Sequence, residues 1–281
     1  MSGLMGVFAA SFGRIVLASK AQAVAEHAHP HMHLLFKVDG ADRVLDVAGQ
    51  RHRLTESKAV AVNPWQPHSE PGPIEGETTV LTFYIHLDWI AERFGDLSLN
   101  QFSEFQPDVS AEAQRLVADI VREIGGENRA SPIDVAAAVQ DLVGHTLSQG
   151  RAGQYPRSSA DFRIRRAIDM IRTDPARPRN LGVLATQVGL SRSRFFTQFH
   201  EATGVSPRLY ANAVWLERAV EALLVDERPI GEVSDALGFA THSHFCRFFR
   251  EKIGFTPREY QTAAFRPSPS AAEPQAVSHA S

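Results

Sequence analysis

Cysteine is almost absent from this chain: Cys246 is the only one in 281 residues. An internal disulfide and an all-cysteine zinc site are therefore excluded, and the usage fits a reducing compartment. Long apolar runs are also missing. The stretch Leu4–Phe12 is too short to span a bilayer. No basic segment precedes it, so it makes a poor secretion signal. Nothing else approaches the roughly eighteen consecutive apolar residues of a membrane helix. What is present is globular in kind, with 43% hydrophobic, 22% charged and 9% aromatic residues, which excludes a chain disordered throughout. At about 100–200 residues per domain the length predicts two domains. The expectation is a soluble, cytoplasmic protein with no membrane partner.

The net charge of −3 hides an asymmetry. Residues 1–156 carry 12 Lys and Arg against 19 Asp and Glu, a balance of −7, whereas residues 157–266 carry 17 against 12, a balance of +5. A basic C-terminal half on an acidic protein points to a polyanionic partner for that half.

Residues 13–86 read as short strands. Apolar runs at Leu34–Val38, Val44–Val47, Ala59–Val62 and Thr79–Ile85 are interrupted by Asp39-Gly40, Gly49-Gln50, Asn63-Pro64 and Pro71-Gly72-Pro73. This punctuation predicts a small antiparallel barrel or sandwich over 1–105. Helical spacing then takes over. Ala113, Leu116, Val117, Ile120, Val121 and Ile124 recur at i, i+3, i+4 within Ser110–Ile124. A second helix is expected from Ser131-Pro132 through Val135, Val139 and Leu142 towards Leu147. These helices, 106–147, could cover the barrel, pair with a second subunit, or do both. Residues 148–160 read as a linker, and 267–281, rich in Ala, Ser and Pro, as a disordered tail.

The most informative feature is an internal repeat within 161–266. One copy is Leu184–Tyr210 and the other Val233–Tyr260. Gly189 matches Gly238, while Phe195, Phe199, Gly204, Pro207, Arg208 and Tyr210 match Phe245, Phe249, Gly254, Pro257, Arg258 and Tyr260. Each copy has the grammar of a helix-turn-helix, near 181–203 and 230–253. A short helix with small inward residues leads to a glycine turn. Leu190 or Phe239 plugs that turn, and Ser191 or Thr241 can cap the second helix. Two ordinary helical hairpins would be the plainer reading of a single copy; two copies with the same Gly-x-[Ser/Thr]-Pro-Arg-x-Tyr exit favour the repeat. The intervening helix, Pro207–Leu224, would be about 27 Å long and could hold two recognition helices about one DNA turn, roughly 34 Å, apart. The fragment 157–266 is expected to fold and bind DNA alone, more weakly than a dimer.

Residues 161–263 resemble the DNA-binding domain of the AraC/XylS family of bacterial transcription regulators, and Gly238–Tyr260 resembles that family's C-terminal signature at most fixed positions. Over 13–105 the pattern is similar, more loosely, to the family's cupin-like effector barrel. The helices 110–147 look like those through which such regulators dimerise. The fold class implied is α+β: a cupin-like antiparallel barrel followed by helices, then an all-α domain with two helix-turn-helix units joined by a linker helix. The partners implied are double-stranded operator DNA, a small-molecule effector, RNA polymerase and a second copy in a homodimer. No cofactor is implied, and the resemblance is to regulators rather than enzymes.

Helix geometry sorts the recognition residues. With Phe245, Phe248 and Phe249 on one stripe, Ser243, Cys246, Arg247 and Arg250 fall opposite and His242 sits at the N-terminal edge. The same arithmetic from Phe195 places Ser193, Phe196, Thr197 and His200 outward. Residues matching the family's base-contacting positions are Ser193, Phe196, Thr197, His242, Ser243, Cys246 and Arg247. Arg247 has the best chemistry for reading guanine O6 and N7. Phe196 could touch a thymine methyl or pack against the linker helix. Arg192, Arg194 and Arg250 suit phosphate contacts, which position without specifying. His200 and Cys246 also read as plain surface residues.

Seven of the 12 histidines lie in 27–86: His27, His29, His31, His33, His52, His68 and His86. The first four alternate, so one continuous strand would put them on one face. His-x-His at the start of a barrel strand, with a later His68, is also how metal-dependent cupin enzymes present ligands. An iron, manganese or zinc enzyme fused to a DNA-binding domain is therefore the rival reading. The carboxylate expected four or five positions after the second His is missing: those positions hold Lys37 and Val38 after His33, and Leu35 and Phe36 after His31. Without it, no metal ligand and no catalytic residue is assigned. His29, His31, His33 and His68 stand either as ordinary strand histidines or as the lining of an effector pocket.

Overall fold

The computed structural model describes residues 3–72, 76–95, 101–102, 106–125, 134–149, 152–153, 161–173, 181–225 and 228–265. Nine strands come first: β1 (Gly3–Ala10), β2 (Gly13–Lys20), β3 (Val24–His27), β4 (Met32–Gly40), β5 (Arg43–Val47), β6 (Gln50–Leu54), β7 (Val60–Val62), β8 (His68–Glu70) and β9 (Thr78–Ile85). They are followed by α1 (Leu87–Phe94), β10 (Gln101–Phe102), α2 (Ala111–Ile124), α3 (Val135–Gln149) and β11 (Ala152–Gly153). The C-terminal half contains α4 (Phe162–Thr173), α5 (Leu181–Gln187), α6 (Arg192–Thr203), α7 (Pro207–Val225), α8 (Ile230–Ala236), α9 (His242–Ile253), α10 (Pro257–Thr262) and β12 (Ala264–Phe265). Among these residues no helix is long and apolar enough to cross a membrane. Leu4–Phe12, the short apolar run, is the first barrel strand and its turn. The expected tail and most of the 148–160 segment lie outside the described residues.

One sheet has the order β12-β1-β2-β9-β4-β7 and the other β3-β8-β5-β6. Alternation along β9 explains how the larger sheet is covered. Leu81, Phe83 and Ile85 point to the helical side and join Ile15, Leu17, Leu34 and Phe36 in one core, while Val80 enters a second apolar cluster with Leu35, Leu45, Val47 and Val60. That second cluster fills one end of the space between the sheets. The other end is filled by histidines.

Ser110 caps α2 by accepting from Ala113 N, as its place before the apolar stripe predicts. Of that stripe Ala113, Val117, Ile120 and Ile124 are buried, and they lie in the same core as β2, β4 and β9 together with Val139 and Leu142 of α3. The stripe therefore serves the barrel within one chain. Of the roles expected for these helices, covering the barrel is the one this buried stripe fills. Ile120→Ala should lower stability by about 2–5 kcal/mol in urea denaturation, because it empties a fully buried site. Ile120→Asp should give unfolded or aggregated protein; a folded monomer would return the stripe to an intermolecular interface.

The two halves share buried structure. β12 pairs in parallel with β1, and Val7, Val16 and Ala18 of the barrel join Leu216, Phe245, Phe249 and Tyr260 in one core. Ala28 enters the core of the first repeat with Phe195, Phe199 and Trp215. Arg14 of β2 makes a bidentate pair with Glu217 of α7, at 2.6 and 2.9 Å. The fragment 157–266 read from the sequence as self-contained would uncover all of these surfaces.

Candidate nucleic-acid interface and effector site

Each repeat copy builds the expected helix-turn-helix. Gly189 and Gly238 have φ of 74° and 71°, a left-handed turn that L side chains adopt only with strain. In both copies the residue after the glycine closes the same bond: Leu190 N donates to Ala185 O, and Phe239 N to Ser234 O. Ser191 caps α6 through Arg194 N, and Thr241 caps α9 through His244 N. Phe195, Phe199, Phe245 and Phe249 are wholly buried. The exit tyrosines pack on them edge-on, Tyr210 at 5.4 Å from Phe199 and Tyr260 at 5.6 Å from Phe249.

The opposite faces are open. On α6, Arg192, Ser193, Arg194, Thr197 and His200 are exposed. Phe196 is half-buried, edge-on to Phe195 at 5.8 Å, with the Arg192 guanidinium 5.6 Å from its ring centre. On α9, His242, Ser243, Arg247 and Arg250 are exposed and Cys246 is half-buried. Cys246 Sγ lies 3.3 Å from His242 Nε2, and burial pushes its thiol up, away from the reactive thiolate.

The C-terminal end of α9 is docked on the barrel. Arg250 donates to Gln22 Oε1 at 3.4 Å, and Lys252 Nζ donates to the Glu26 carbonyl of β3 at 2.6 Å. Arg247, His244 and Glu251 of α9 line a cleft of about 630 Å³ with Glu26 of β3 and Arg208 and Asn212 of α7. Arg250 thus reaches the barrel from the exposed face of α9, and Arg247 borders the seam.

The histidines do not share one continuous strand. The chain leaves strand geometry at Ala28–His31, where Pro30 lies, and re-enters it at Met32. This break sorts them. His29 Nε2 lies 3.1 Å from His33 Nδ1, which is 3.2 Å from His68 Nε2. His27, absent from the expected lining, joins them with its ring centre 4.2 Å from that of His68. Tyr84 closes the group by stacking on His33 at 4.5 Å. His31 turns away: its Nδ1 is 3.7 Å from Glu217 Oε1, and His86 packs edge-on against it.

Burial governs this site's electrostatics. It drives His27, His29 and His33 well below the ordinary imidazole value, helped by their mutual repulsion, and takes His31 and His68 down to about 4. All five are neutral at pH 7. For Glu217 burial raises the pKa, but Arg14 and His31 outweigh it and hold the carboxylate below its ordinary range. Glu70, two residues from His68, is held by Lys20 at 3.0 Å and Arg43 at 2.6 Å. The pairing of His27 with His68 follows from β3–β8 register. Its one sequence signal was the alternating series beginning at His27. The Arg14–Glu217 pair, 203 residues apart, had none.

Known proteins match the two halves separately. The AraC-like ligand binding domain matches residues 15–143, and a helix-turn-helix domain matches 184–263. The two modules stand in the order, and over the elements, that the barrel and the repeat define. The chain belongs to the AraC family. The ligand-binding match takes in α2 and the first part of α3, in keeping with their place on the barrel core. Among curated relatives, this AraC-family chain is 26% identical over 151 residues to the transcriptional activator NphR of Rhodococcus, covering 52% of this chain and 44% of that protein. It is 30% identical over 80 residues to the transcriptional activator RhaS of Escherichia coli, covering 28% of this chain and 29% of that one. The chain spans less than half the length of these relatives. In fold it is similar to ToxT of Vibrio cholerae, solved with an unsaturated fatty acid bound, at TM-score 0.57 and 13% identity over 89% of this chain and 94% of that one.

Proposed function

We propose that this AraC-family chain is a sequence-specific DNA-binding transcription regulator whose barrel binds a small-molecule effector and whose two helix-turn-helix units read operator DNA. The observation that carries the reading is the pair of recognition helices, α6 and α9. Each has a phenylalanine core on one face and an exposed polar face on the other, with Ser, Thr, Arg and His on α6 and His, Ser and Arg on α9. Such a face suits base edges in a major groove, flanked by arginines for phosphate. Relatives named as transcriptional activators support it.

Two of the contacts between the sensing and reading halves adjoin the histidines. Lys252 of α9 is bonded to the Glu26 carbonyl, beside His27, and Trp65, whose backbone N–H donates to the His29 carbonyl, stacks on Tyr210 at 4.1 Å. A ligand that moves the histidine walls therefore acts directly on both repeat copies, provided its affinity differs between the docked and released states. The enzyme reading lacks support: Glu70, the carboxylate nearest His68 in sequence, is bound by two cations. The homodimer and the RNA polymerase contact rest on the family resemblance, as does a cytoplasmic location. A dimer interface belongs on the exposed faces of α2 and α3, since their stripe is occupied.

Selection of bound fragments from random DNA, followed by footprinting, tests the reading. Arg247→Ala should lose about 1–3 kcal/mol at one operator position and relax the base preference there. Arg250→Ala should weaken all sequences alike and reduce the salt slope by about one unit. No preference for any selected sequence over random DNA would sink the regulator reading. Equal weakening of operator and random DNA by Arg247→Ala would make that residue a phosphate clamp.

A further inference from the structure

Four imidazoles from three strands and the loop before β4 meet at one end of the barrel, and their hydrogen bonds assign their protons. His27 Nδ1 lies 3.0 Å from the Ala25 carbonyl, His29 Nδ1 3.2 Å from the His31 carbonyl, and His68 Nδ1 2.9 Å from the Gln66 carbonyl. A carbonyl only accepts, so in each ring Nδ1 carries the proton and Nε2 is left with a bare lone pair. This is the arrangement by which proteins orient metal-binding histidines, the far nitrogen donating to a backbone carbonyl.

The lone pairs converge without enough protons to satisfy them. His29 Nε2 and His68 Nε2 both aim at His33 Nδ1, at 3.1 and 3.2 Å. A neutral His33 has one proton. If it sits on Nδ1, two acceptors share it and the buried His33 Nε2 has no partner. If it sits on Nε2, three lone pairs face one another. Unsatisfied buried nitrogens are unfavourable in either case, and a cation at their centre removes the conflict. One nitrogen from each of His27, His29 and His68 already lies within 4.8 Å of the other two. Three imidazoles around one ion stand roughly 3–3.5 Å apart when each bond is about 2.0–2.1 Å, so modest side-chain adjustment would close the site.

We infer that His27, His29 and His68 bind one divalent transition-metal ion of the zinc class, with His33 beside them as a fourth ligand or as a donor to whatever occupies the open position. All-imidazole donors suit zinc, nickel or copper rather than calcium or magnesium. Three histidines with an open position leave room for an exogenous anion or water. The inference rests on the barrel being the sensing half of the regulator and names its ligand chemistry. His27 ends β3, the strand on which α9 is docked through Lys252, so closing the triad pulls on the DNA-reading helix.

The test uses the untagged full chain, stripped with chelator and titrated with Zn²⁺ against a competing indicator, with metal content measured after dialysis. One zinc per chain is expected. His29→Gln and His68→Gln should each weaken binding by more than the 10–100-fold typical of losing only a supporting partner. His52→Gln and Cys246→Ser, outside the cluster, should leave it unchanged. Substoichiometric zinc, or zinc lost in Cys246→Ser but retained in both histidine variants, overturns the site. Should the variants fail to fold, the Co²⁺-loaded parent decides: strong visible d–d absorption without a thiolate charge-transfer band supports it, and weak octahedral absorption or a thiolate band refutes it. Operator affinity with and without zinc separates the two levels. Stoichiometric zinc with unchanged operator affinity keeps the site and removes zinc as the regulating ligand. Operator binding with no zinc bound keeps the regulator and removes the site.

Discussion

Removing the Glu217 carboxylate should lower the stability of the folded chain by about 3–5 kcal/mol, because it strands the buried Arg14 guanidinium. The pair is bidentate, and both side chains are at most a tenth exposed. Arg14 also stacks on Tyr84, 4.1 Å from its ring centre, so it cannot swing out to water without unpacking the barrel wall. The loss is a large share of the roughly 5–15 kcal/mol that holds a typical domain folded. Glu217→Ala should therefore show a strongly reduced urea midpoint. The double variant Arg14→Met with Glu217→Leu should recover most of the loss, since apolar replacement of a buried pair is often neutral or better. Equal loss in the single and double variants would mean that packing, not charge, accounts for the effect. Because Glu217 lies on the helix joining the two repeat copies, the double variant also asks whether operator binding needs that helix anchored to the barrel.

Acid should be as damaging. In metal-free protein the five buried histidines refuse protons that the unfolded chain accepts near pH 6.5. Below that value the unfolded state binds more protons, so stability falls with falling pH until the folded-state values are reached, about 4 for His31 and His68. One pH unit below the ordinary value, each imidazole that stays neutral in the fold contributes a loss on the order of 1 kcal/mol. Glu217 acts in a lower window. Its stabilisation is fully present above the ordinary carboxyl value of 4.5 and is lost only as pH falls through its depressed folded value. Urea titrations between about pH 7.5 and 5.5, in chelator, should show a steep decline that is shallower in His68→Gln. Constant stability across that range would show the imidazoles to be solvated.

Much of the fold was legible because its signals are local. Phe195 with Phe199, and Phe245 with Phe249, announce a buried helix stripe within a single turn, and Gly189 and Gly238 mark where the chain must reverse. The outward positions Ser193, Thr197, Ser243 and Arg247 follow from the same periodicity, and the structure leaves them exposed. Phe196 was undecided between groove and packing, and is half-buried against Phe195. The stripe on α2 was equally visible, but periodicity says only that a face is apolar, not what covers it. Ile120 meets the barrel sheet because α2 and α3 close over β2, β4 and β9, a choice made by long-range packing.

The sequence by itself determined the tandem helix-turn-helix units, their caps and the residues exposed on the outer faces of α6 and α9, since each depends on neighbours within a few positions. Tertiary structure alone decided three things: that Arg14 meets Glu217, that α9 rests on β3, and that His27, His29, His33 and His68 converge while His31 leaves them. Strand alternation could place histidines on a face but not predict the break at Ala28–His31, nor the β3–β8 register that sets His27 against His68. Those contacts join residues tens to hundreds of positions apart. Their partners are selected by which buried polar groups can satisfy one another once both sheets and α7 are in place, and no local pattern encodes that condition.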